Sequence, residues 1–352
     1  MKTHFFKVAI YMFLLSNFTN LNEIKSQTPV YGITLCGAEF GENSLPGQIG
    51  KHYTYPTVEE IEYFASKGVD LIQLPVKWER IQRTLGGNLD AIEMSYILKF
   101  VDECNRKNIK VNIVLQNFGR YNYNGKMLIV GGPYLKGWHL ADFWQKMAKV
   151  LSYKKNIFAF SIMTEPYEMA GYNWPLSAQE VVNAIREVDF KTTIIIDGDN
   201  YSNPATWLQY NDKLKYITDP ANNMMFNAHC YFDYNFSGRY HLPYDKDGAH
   251  EWIGVERLQP FVQWLKKNNK KGYVGEFGIP KNDKKWLKVM ENFLNYTAAN
   301  GLSASYWAAG PWWKDYSLSI EPINNIDQPQ MILFAKYFNN KTNYLNTYAV
   351  SK

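Results

Sequence analysis

Two glutamates stand at positions where a pair of carboxyl groups could do chemistry. Glu165 follows the apolar run 157–163 and precedes Pro166, and Glu276 follows the apolar residue Val274 and a glycine. Two carboxyl groups that face one cleft can cleave a glycosidic bond, because one protonates the leaving oxygen while the other serves as nucleophile or base. The pair therefore indicates hydrolysis of a sugar linkage, if the fold brings both residues together.

Other polar and aromatic side chains also end apolar runs. They are Gln73, Gln116, Asn117, Asp197, His229 and Trp307. His229 and nearby Tyr231 are candidates for contact with a sugar, and the alternative is a buried histidine bonded only to protein groups. Trp307, close to a Gly-Pro turn, is a candidate sugar platform, and the alternative is packing inside the fold. Asp197, within an Asp-Gly-Asp sequence, is interpreted as a turn residue.

The elements that would position these residues alternate along the chain. Strand-like runs lie at 30–35, 69–74, 110–115, 157–163, 193–196, 224–228, 272–274 and 302–306, and helical stretches lie at 58–67, 91–105, 140–151, 178–188, 203–209, 252–268, 284–300 and 331–338. Strict alternation predicts a parallel sheet covered by helices, and eight units predict an α/β fold, a single-domain (β/α)8 TIM barrel. An open doubly wound sheet, the alternative, would carry a glycine-rich turn after its first strand, whereas the turn at 36–40 has one glycine.

The active site of such a barrel lies at the C-terminal ends of its strands. Glu165 would end the fourth strand and Glu276 the seventh. The barrel thus predicts that the two carboxyl groups face one cleft from opposite sides.

Composition narrows the possible partners. The net charge of +5 over 352 residues is small and spread along the chain, which weighs against a nucleic-acid partner. The aromatic content of 16% fits a protein that stacks on sugars, and it equally fits a large core. Cys36, Cys104 and Cys230 suit neither a disulfide framework nor a metal motif. We expect no metal and no cofactor.

Residues 1–26 have the pattern of an export signal, in which Lys2 and Lys7 precede an apolar stretch at 8–15. That stretch is too short to span a bilayer as a mature helix. Cleavage would leave a catalytic barrel at 27–352, which we expect to be monomeric, free of the membrane, and secreted or periplasmic. An uncleaved anchor is the alternative.

The chain resembles family 5 glycoside hydrolases, and most closely the secreted endo-β-1,4-glucanases among them. The motifs that carry the resemblance lie, in order, at 37–41, 45–47, 78–82, 85–90, 117–121, 164–166, 229–233, 275–278 and 307–313. The resemblance implies a TIM barrel, a retaining mechanism and no metal. It implies that Glu165 is the acid/base and Glu276 the nucleophile. It also implies that His229, Tyr231 and Asn117 support the substrate or the nucleophile and that Trp307 lies under the reacting sugar.

Three positions depart from the family pattern. Gln73 stands where the family has an arginine that supports the nucleophile, and Gln116 stands where it has histidine. Thr164 replaces the asparagine that binds the sugar 2-hydroxyl in the family. These positions surround the cleaved bond in the family, so the sequence predicts an altered sugar pocket and weakens the case for cellulose.

We therefore predict a retaining endo-glycosidase that acts on a β-linked polysaccharide. Among the possible substrates, β-1,4-glucan is the one that the sequence favours most. Two alternatives stay open. One is an exo-acting or transglycosylating enzyme on oligosaccharides, and the other is a carbohydrate-binding protein that has lost turnover. Retention of both glutamates weighs against the second of these.

Overall fold

The computed structural model describes residues 28–338, and the predicted signal at 1–26 lies outside them. The strands in this range are β1 Tyr31–Leu35, β2 Leu71–Val76, β3 Lys110–Leu115, β4 Arg120–Tyr123, β5 Lys126–Ile129, β6 Ile157–Ser161, β7 Thr193–Asp197, β8 Met224–His229, β9 Lys271–Glu276 and β10 Ser303–Ala309. Eight of these described strands close a parallel barrel in the order β1-β2-β3-β6-β7-β8-β9-β10, and β10 pairs with β1. Closure confirms the TIM barrel and excludes the open sheet.

Helices alternate with the barrel strands. They are α1 Val58–Ser66, α2 Trp78–Ile81, α3 Ala91–Arg106, α4 Gly137–Leu151, α5 Trp174–Arg186, α6 Trp207–Tyr210, α7 Tyr244–Asp247, α8 Ile253–Lys267, α9 Lys285–Ala299 and α10 Pro329–Phe334. Side chains cap the N-termini of two of these helices. Thr57 forms a capping box with Glu60 at α1, and Asp90 accepts from two backbone N–H groups at α3. None of the helices within 28–338 is long and apolar enough to cross a membrane.

The barrel strands are buried almost throughout, and β-branched and aliphatic side chains pack between the sheet and the helices. Inside the barrel a polar layer crosses several strands. Thr34 pairs in register with Gln73, and Gln73 pairs with Asn112. Asn112 donates to Gln73 and to Ser161, 2.8 and 2.9 Å away. Hydrogen bonds among these side chains satisfy their polar groups, which offsets the free-energy cost of burying them.

Several local features differ from the predictions, among them the short helices α2 and α7, which were not predicted. The stretch 203–209, predicted as one helix, is a 3-10 turn at Pro204–Thr206 followed by α6. The antiparallel hairpin of β4 and β5 was not predicted at all. Its turn is Asn124-Gly125 with φ of 50° and 82°, which is the signature of a tight hairpin connection.

Candidate active site

Strand register brings the two glutamates to one end of the barrel. Glu276 is the last residue of β9 and pairs with His229, the last residue of β8. Glu165 lies four residues beyond the end of β6, and its backbone has the left-handed φ of 45°. Such a conformation is uncommon for a residue with a side chain and marks sites where neighbouring structure dictates the geometry.

Hydrogen bonds made by Asp197 and Asn227 hold Glu165 in place. Asp197, at the end of β7, accepts from the Glu165 backbone N–H at 3.0 Å and from Asn227 Nδ2 at 2.7 Å. Asn227 Oδ1 accepts from the Gly275 N–H at 2.6 Å, so it also holds the strand that carries Glu276. A Cβ on Gly275 would come within 2.5 Å of Asn227 Nδ2, which explains the glycine at this position.

His229 lies between the two carboxyl groups. Its Nδ1 is 2.7 Å from Glu165 Oε1 and 3.4 Å from Glu276 Oε2, and its Nε2 is 3.4 Å from Asp197 Oδ2. Burial by itself lowers the pKa of His229, but the negative charges of Glu276, Asp197 and Glu165 outweigh it and raise the pKa to about 10. The raised pKa favours the protonated imidazole, whose Nδ1 donates to Glu165 Oε1, while Nε2 lies 3.0 Å from Asn227 Nδ2.

Tyr231 donates its hydroxyl hydrogen to Glu276 Oε2 at 2.7 Å. Burial raises the pKa of Glu276 to about 8; cationic His229 and the Tyr231 hydroxyl oppose this rise, whereas Glu165 and Asp197 reinforce it. Burial likewise raises the pKa of Asp197 to about 6.

The separation of the two carboxyl groups bears on the stereochemistry of hydrolysis. Ligand atoms of Glu165, His229 and Glu276 all lie within 4.8 Å of one another. Retaining glycosidases have carboxyl groups about 5–5.5 Å apart, and inverting ones need about 6.5–9.5 Å to admit a water. An approach within 4.8 Å between one atom of each side chain is closer than the range that inverting enzymes need. The same three side chains could in principle ligate a metal ion.

Two cavities open at the C-terminal ends of the barrel strands. The first, here called the Glu165 cavity, has a volume of about 470 Å³ and is lined by Glu165, Tyr201, His229, Tyr231, Phe236 and Arg239, among others. The second, the Trp307 cavity, has a volume of about 440 Å³ and is lined by Glu39, Lys77, Gln116, Phe118, Trp307 and Trp313, among others. Glu165 lines the first cavity, whereas the second is lined by residues that follow β1, β2 and β3 and by Trp307 of β10.

Trp307, predicted as a sugar platform, lines the Trp307 cavity. Its indole N–H donates to the Tyr316 hydroxyl at 3.2 Å, and Tyr316 stacks on Trp313 with ring centroids 4.2 Å apart. A Cβ on Gly278 would come within 2.3 Å of the Trp307 carbonyl oxygen, so the turn after Glu276 approaches the tryptophan closely. These contacts hold one aromatic wall of the Trp307 cavity.

Two of the three departures from the family pattern contact each other. Thr164 donates its hydroxyl hydrogen to Gln116 Oε1 at 2.9 Å, and Thr164 is only 1% exposed. Gln116 lines the Trp307 cavity, and its carbonyl oxygen accepts from Lys77 Nζ at 2.6 Å. The Thr164 hydroxyl is therefore committed to a protein partner, and Gln116 is the member of this pair that lines the cavity.

Gln73 differs from the expectation that it surrounds the sugar. Its Nε2 donates to Thr34 Oγ1 and to the Gly275 carbonyl oxygen, both at 2.9 Å. Its Oε1 accepts from Asn112 and from Tyr273. The amide lies in the polar layer inside the barrel because that layer satisfies all of its hydrogen-bonding groups.

Asn117 differs in the same way. Its Oδ1 accepts from the Trp78 backbone N–H at 2.9 Å, and its Nδ2 donates to Glu79 Oε2 at 2.8 Å. Glu79 also accepts from the Asn122 N–H. Asn117 and Glu79 thus tie α2 to the β4–β5 hairpin, and the amide has protein partners at both ends.

Two residues that hold the site in place, Asp197 and Asn227, were not predicted as site residues. Asp197 was interpreted as a turn residue, yet it is buried and organises the acid/base side of the site. Its position at the end of a barrel strand was the available signal. Asn227 lies within a strand rather than at its end, so position alone carried no signal for it.

Comparisons with known proteins agree with this geometry. Residues 32–312 match the family model described as cellulase (glycosyl hydrolase family 5). A protein named endo-beta-1,4-glucanase B from Emericella nidulans is 31% identical over 305 residues, which cover 86% of this chain and 89% of that protein.

Solved structures show the same likeness. The endoglucanase Cel5A of Pseudomonas stutzeri in complex with cellobiose superposes with a TM-score of 0.83 at 36% identity, covering 89% of this chain and 93% of that chain. The endo-beta-1,4-glucanase Xac0029 of Xanthomonas axonopodis pv. citri has a TM-score of 0.81 at 28% identity, covering 89% of this chain and 99% of that chain.

Proposed function

The chain belongs to glycosyl hydrolase family 5 and is an O-glycosyl hydrolase of the cellulase type; we propose that it cleaves a β-linked polysaccharide internally by a retaining, two-glutamate mechanism. The observation that carries the proposal is the close approach of Glu165 and Glu276, with ligand atoms within 4.8 Å. At this spacing a carboxylate can attack the sugar directly, and no room is left for a water between the second carboxyl group and the ring.

In the first step, Glu276 attacks the anomeric carbon while the bond to the leaving oxygen breaks. Glu165 Oε1 accepts from His229 Nδ1, so Oε2 is the oxygen free to carry the proton that passes to the leaving group. Cationic His229 and the Tyr231 hydroxyl favour the ionised form of Glu276, which is the form that attacks.

In the second step, water hydrolyses the glycosyl–Glu276 ester. Glu165, now deprotonated, takes a proton from that water, and Glu276 leaves as a carboxylate, so both groups return to their starting states. Asp197 supports both steps indirectly. It accepts from the Glu165 backbone N–H, and its carboxylate lies 3.4 Å from His229 Nε2.

The substrate that we propose is a β-1,4-glucan or a related β-glycan. Names of the relatives support the glucan. The Thr164–Gln116 pair supports an altered pocket, because a threonine hydroxyl committed to Gln116 does not offer the sugar 2-hydroxyl the contacts of an asparagine amide. A sugar with a substituted or differently oriented 2-position would suit such a pocket. We further propose that the signal pattern at 1–26 directs export and that the barrel acts outside the cytoplasm as a monomer.

The mechanism is tested by chemical rescue. Glu276→Gly should lose several orders of magnitude in turnover, and sodium azide should partly restore it while forming a glycosyl azide of inverted anomeric configuration. Glu165→Gly with azide should form an azide of retained configuration from an aryl glycoside, because its nucleophile is intact. Products are identified by NMR.

Glu168→Gln is the matched control, because Glu168 is near Glu165 in sequence but 80% of its side chain is exposed. Its turnover should stay close to that of the unmodified enzyme. A Glu276→Gly variant that stays folded and keeps its turnover would refute the assignment of the nucleophile.

A further inference from the structure

The loop at residues 233–239, which follows β8, carries regularly spaced polar side chains. It reads Asp-Tyr-Asn-Phe-Ser-Gly-Arg, so aspartate, asparagine and serine stand at its first, third and fifth positions and glycine at its sixth. Calcium-binding loops use this spacing, with aspartate or asparagine at position 5 and a glutamate at position 12. Here serine stands at position 5 and Tyr244 at position 12, so a further carboxylate would have to come from another part of the chain.

The side chains at the three odd positions converge in the structure. Ser237 Oγ lies 2.8 Å from Asp233 Oδ2 and 2.8 Å from Asn235 Oδ1. Oxygens bound about 2.3–2.6 Å from one Ca²⁺ lie about 3 Å from each other, so this spacing is close to that of neighbouring calcium ligands. Ser237 has a single hydroxyl hydrogen and can donate to only one of the two oxygens at a time, whereas a cation would attract all three.

The backbone of the loop makes the sharp turn that such a site needs. Gly238, at position 6, has φ of 68°, and its N–H donates to Asp233 Oδ1 at 3.0 Å. A Cβ on Gly238 would also come within 2.7 Å of the Tyr231 ring. The turn therefore holds the Asp233 carboxylate in one orientation, with Oδ2 beside Ser237.

Asp247, the last residue of α7, supplies a second carboxyl group beside the loop. It is 6% exposed, and neither of its carboxyl oxygens has a hydrogen-bond partner among the described residues. Burial raises the pKa of Asp247, and the charge of Asp233 adds to this rise. The Tyr234 backbone N–H and the charge of Arg257 oppose it, although that N–H does not reach hydrogen-bonding geometry. These neighbours place the Asp247 carboxyl group against the start of the loop.

Arg257, the cation near both carboxyl groups, is bound to backbone oxygens. Its Nη1 donates to the carbonyl oxygens of Tyr231 and Asp233, at 2.6 and 2.7 Å, and its guanidinium carbon is 4.0 Å from the centroid of the Phe236 ring. A buried carboxylate without a partner is costly and is stabilised by a proton or by a bound cation. A cation held by Asp233 and Asp247 together would also reduce the repulsion between them.

We propose that the loop at 233–239 and Asp247 together form a structural Ca²⁺ site. The loop supplies three side-chain oxygens, and Asp247 replaces the missing carboxylate of position 12. Two carboxylates beside one arginine carry little net charge, which favours the weak affinity of extracellular calcium modules, a Kd of about 10⁻⁴–10⁻³ M. Such an ion was not expected from the sequence, where cysteine spacing and the two-glutamate chemistry indicated no metal. Its binding does not depend on the retaining mechanism.

The ion would stabilise one wall of the Glu165 cavity. Asn235, Ser237 and Arg239 line that cavity. Asp233 lies two residues beyond Tyr231, the hydrogen-bond donor to Glu276. Calcium would therefore order the loop next to the catalytic pair without taking part in the chemistry.

Calcium binding is measured on the full-length enzyme after divalent ions have been removed with EDTA and gel filtration. Calcium chloride is added at constant ionic strength, and binding is followed by isothermal titration calorimetry and by the melting temperature. We expect one site with a Kd of about 10⁻⁴–10⁻³ M and a melting temperature that rises as the site fills. Magnesium chloride should bind at least about tenfold more weakly, because Mg²⁺ requires a near-octahedral shell.

Asp247→Asn removes the charge and keeps the size of the side chain, so it should raise the Kd for calcium at least about tenfold. Because the same change removes an unpaired buried charge, its melting temperature without calcium should be no lower than that of the unmodified enzyme. Asn235→Ala, which removes a neutral ligand, should raise the Kd by a smaller factor. Asp245→Asn is the matched control. Asp245 lies in the same helix but is 71% exposed and pairs with Lys285, so calcium binding should be unchanged.

Three results would overturn the site. The first is a melting temperature of the unmodified enzyme that does not respond to calcium. The second is an unchanged calcium affinity in Asp247→Asn, since the ion would then bind elsewhere. The third is a melting temperature of Asp247→Asn well below that of the calcium-free unmodified enzyme, which would show that Asp247 supports the fold without an ion. None of these measurements uses turnover, so the proposed hydrolysis is tested separately.

Discussion

At the scale of single residues, the hydroxyl of Tyr231 adjusts the proton affinity of Glu276. Tyr231→Phe removes a donor to the charged form of this carboxyl group, so the pKa of Glu276 should rise further above its usual range. Attack requires ionised Glu276, so activity falls below this pKa, and the acid limb of kcat/KM should move to higher pH by about one unit, the worth of one hydrogen bond to a charge.

Tyr234→Phe serves as the control for that measurement, because Tyr234 is exposed and its ring lies outside the residues that line the site. Its pH profile should match that of the unmodified enzyme. An acid limb that stays in place or moves downward in Tyr231→Phe would contradict the role assigned to the hydroxyl.

Thr164 and Gln116 give a second prediction at this scale. If the pocket is adapted to a sugar with an altered 2-position, Thr164→Asn should lower turnover on the best substrate from a polysaccharide and oligosaccharide panel, because the larger buried amide displaces Gln116, which lines the Trp307 cavity. Activity is compared on that substrate and on a β-1,4-glucan. Thr164→Val, which removes the hydroxyl and keeps the shape of the side chain, measures the loss that comes from breaking the pair alone.

One result would reverse this interpretation. If Thr164→Asn raised turnover on glucan tenfold or more, about 1.4 kcal/mol of transition-state binding, and no other substrate exceeded glucan, the enzyme would be an impaired cellulase.

At the scale of elements, two carboxyl groups join α1 to the segment that follows β10. Glu60, in the first turn of α1, is in hydrogen-bonding contact with Glu321, which accepts from the Gly310 N–H at 2.8 Å. Glu60 Oε1 is buried and accepts from no donor among the described residues, unless Glu321 is protonated. Burial and the neighbouring charge of Glu60 raise the pKa of Glu321 to about 7.

This contact predicts a pH-dependent stability. An acid with a higher pKa in the folded chain holds its proton more tightly when folded, so the stabilisation is present at low pH and is lost as the pH rises from about 4.5 to about 7. Glu321→Gln can donate to Glu60 at every pH. Between pH 5 and pH 8 its free energy of unfolding, from urea titration, should fall by about 2 kcal/mol less than that of the unmodified enzyme.

Glu59→Gln, an exposed neighbour on α1, is the matched control and should follow the unmodified enzyme. Parallel pH dependence in Glu321→Gln and the unmodified enzyme would show that the two carboxyl groups do not share a proton.

At the scale of the whole molecule, the Glu165 and Trp307 cavities both open at the C-terminal ends of the barrel strands, where the two glutamates also lie. A cleft that continues past the cleaved bond in both directions binds the interior of a polymer, so we predict endo action. The viscosity of carboxymethylcellulose should fall steeply while few reducing ends have formed. A slow fall in viscosity with early release of one short product would instead identify an exo-acting enzyme.

Much of this molecule was predictable from local pattern. Periodic apolar runs predicted all eight barrel strands, because alternation of strands and helices is a property of neighbouring residues. Glu165 and Glu276 could be singled out because each follows a buried run directly, and strand ends of a parallel barrel meet at one face. The tight turn at Asn124-Gly125 was also a local signal, although it was missed.

Hydrogen-bond partners could not be predicted in this way, because they are chosen among groups that only folding brings together. His229 contacts Glu165 across 64 residues of sequence, and Gln73 reaches the Gly275 carbonyl oxygen across 202. Gln73 and Asn117 were expected at the sugar and instead satisfy buried protein groups, because an unpaired buried amide is costly. Trp78, Trp174 and Trp207 are buried for the related reason that large rings gain most from leaving water, whereas Trp138 is exposed. Residue type and position along a strand thus identified the acidic pair, whereas the three-dimensional neighbours of each polar group determined which side chains face the cleft and which support it.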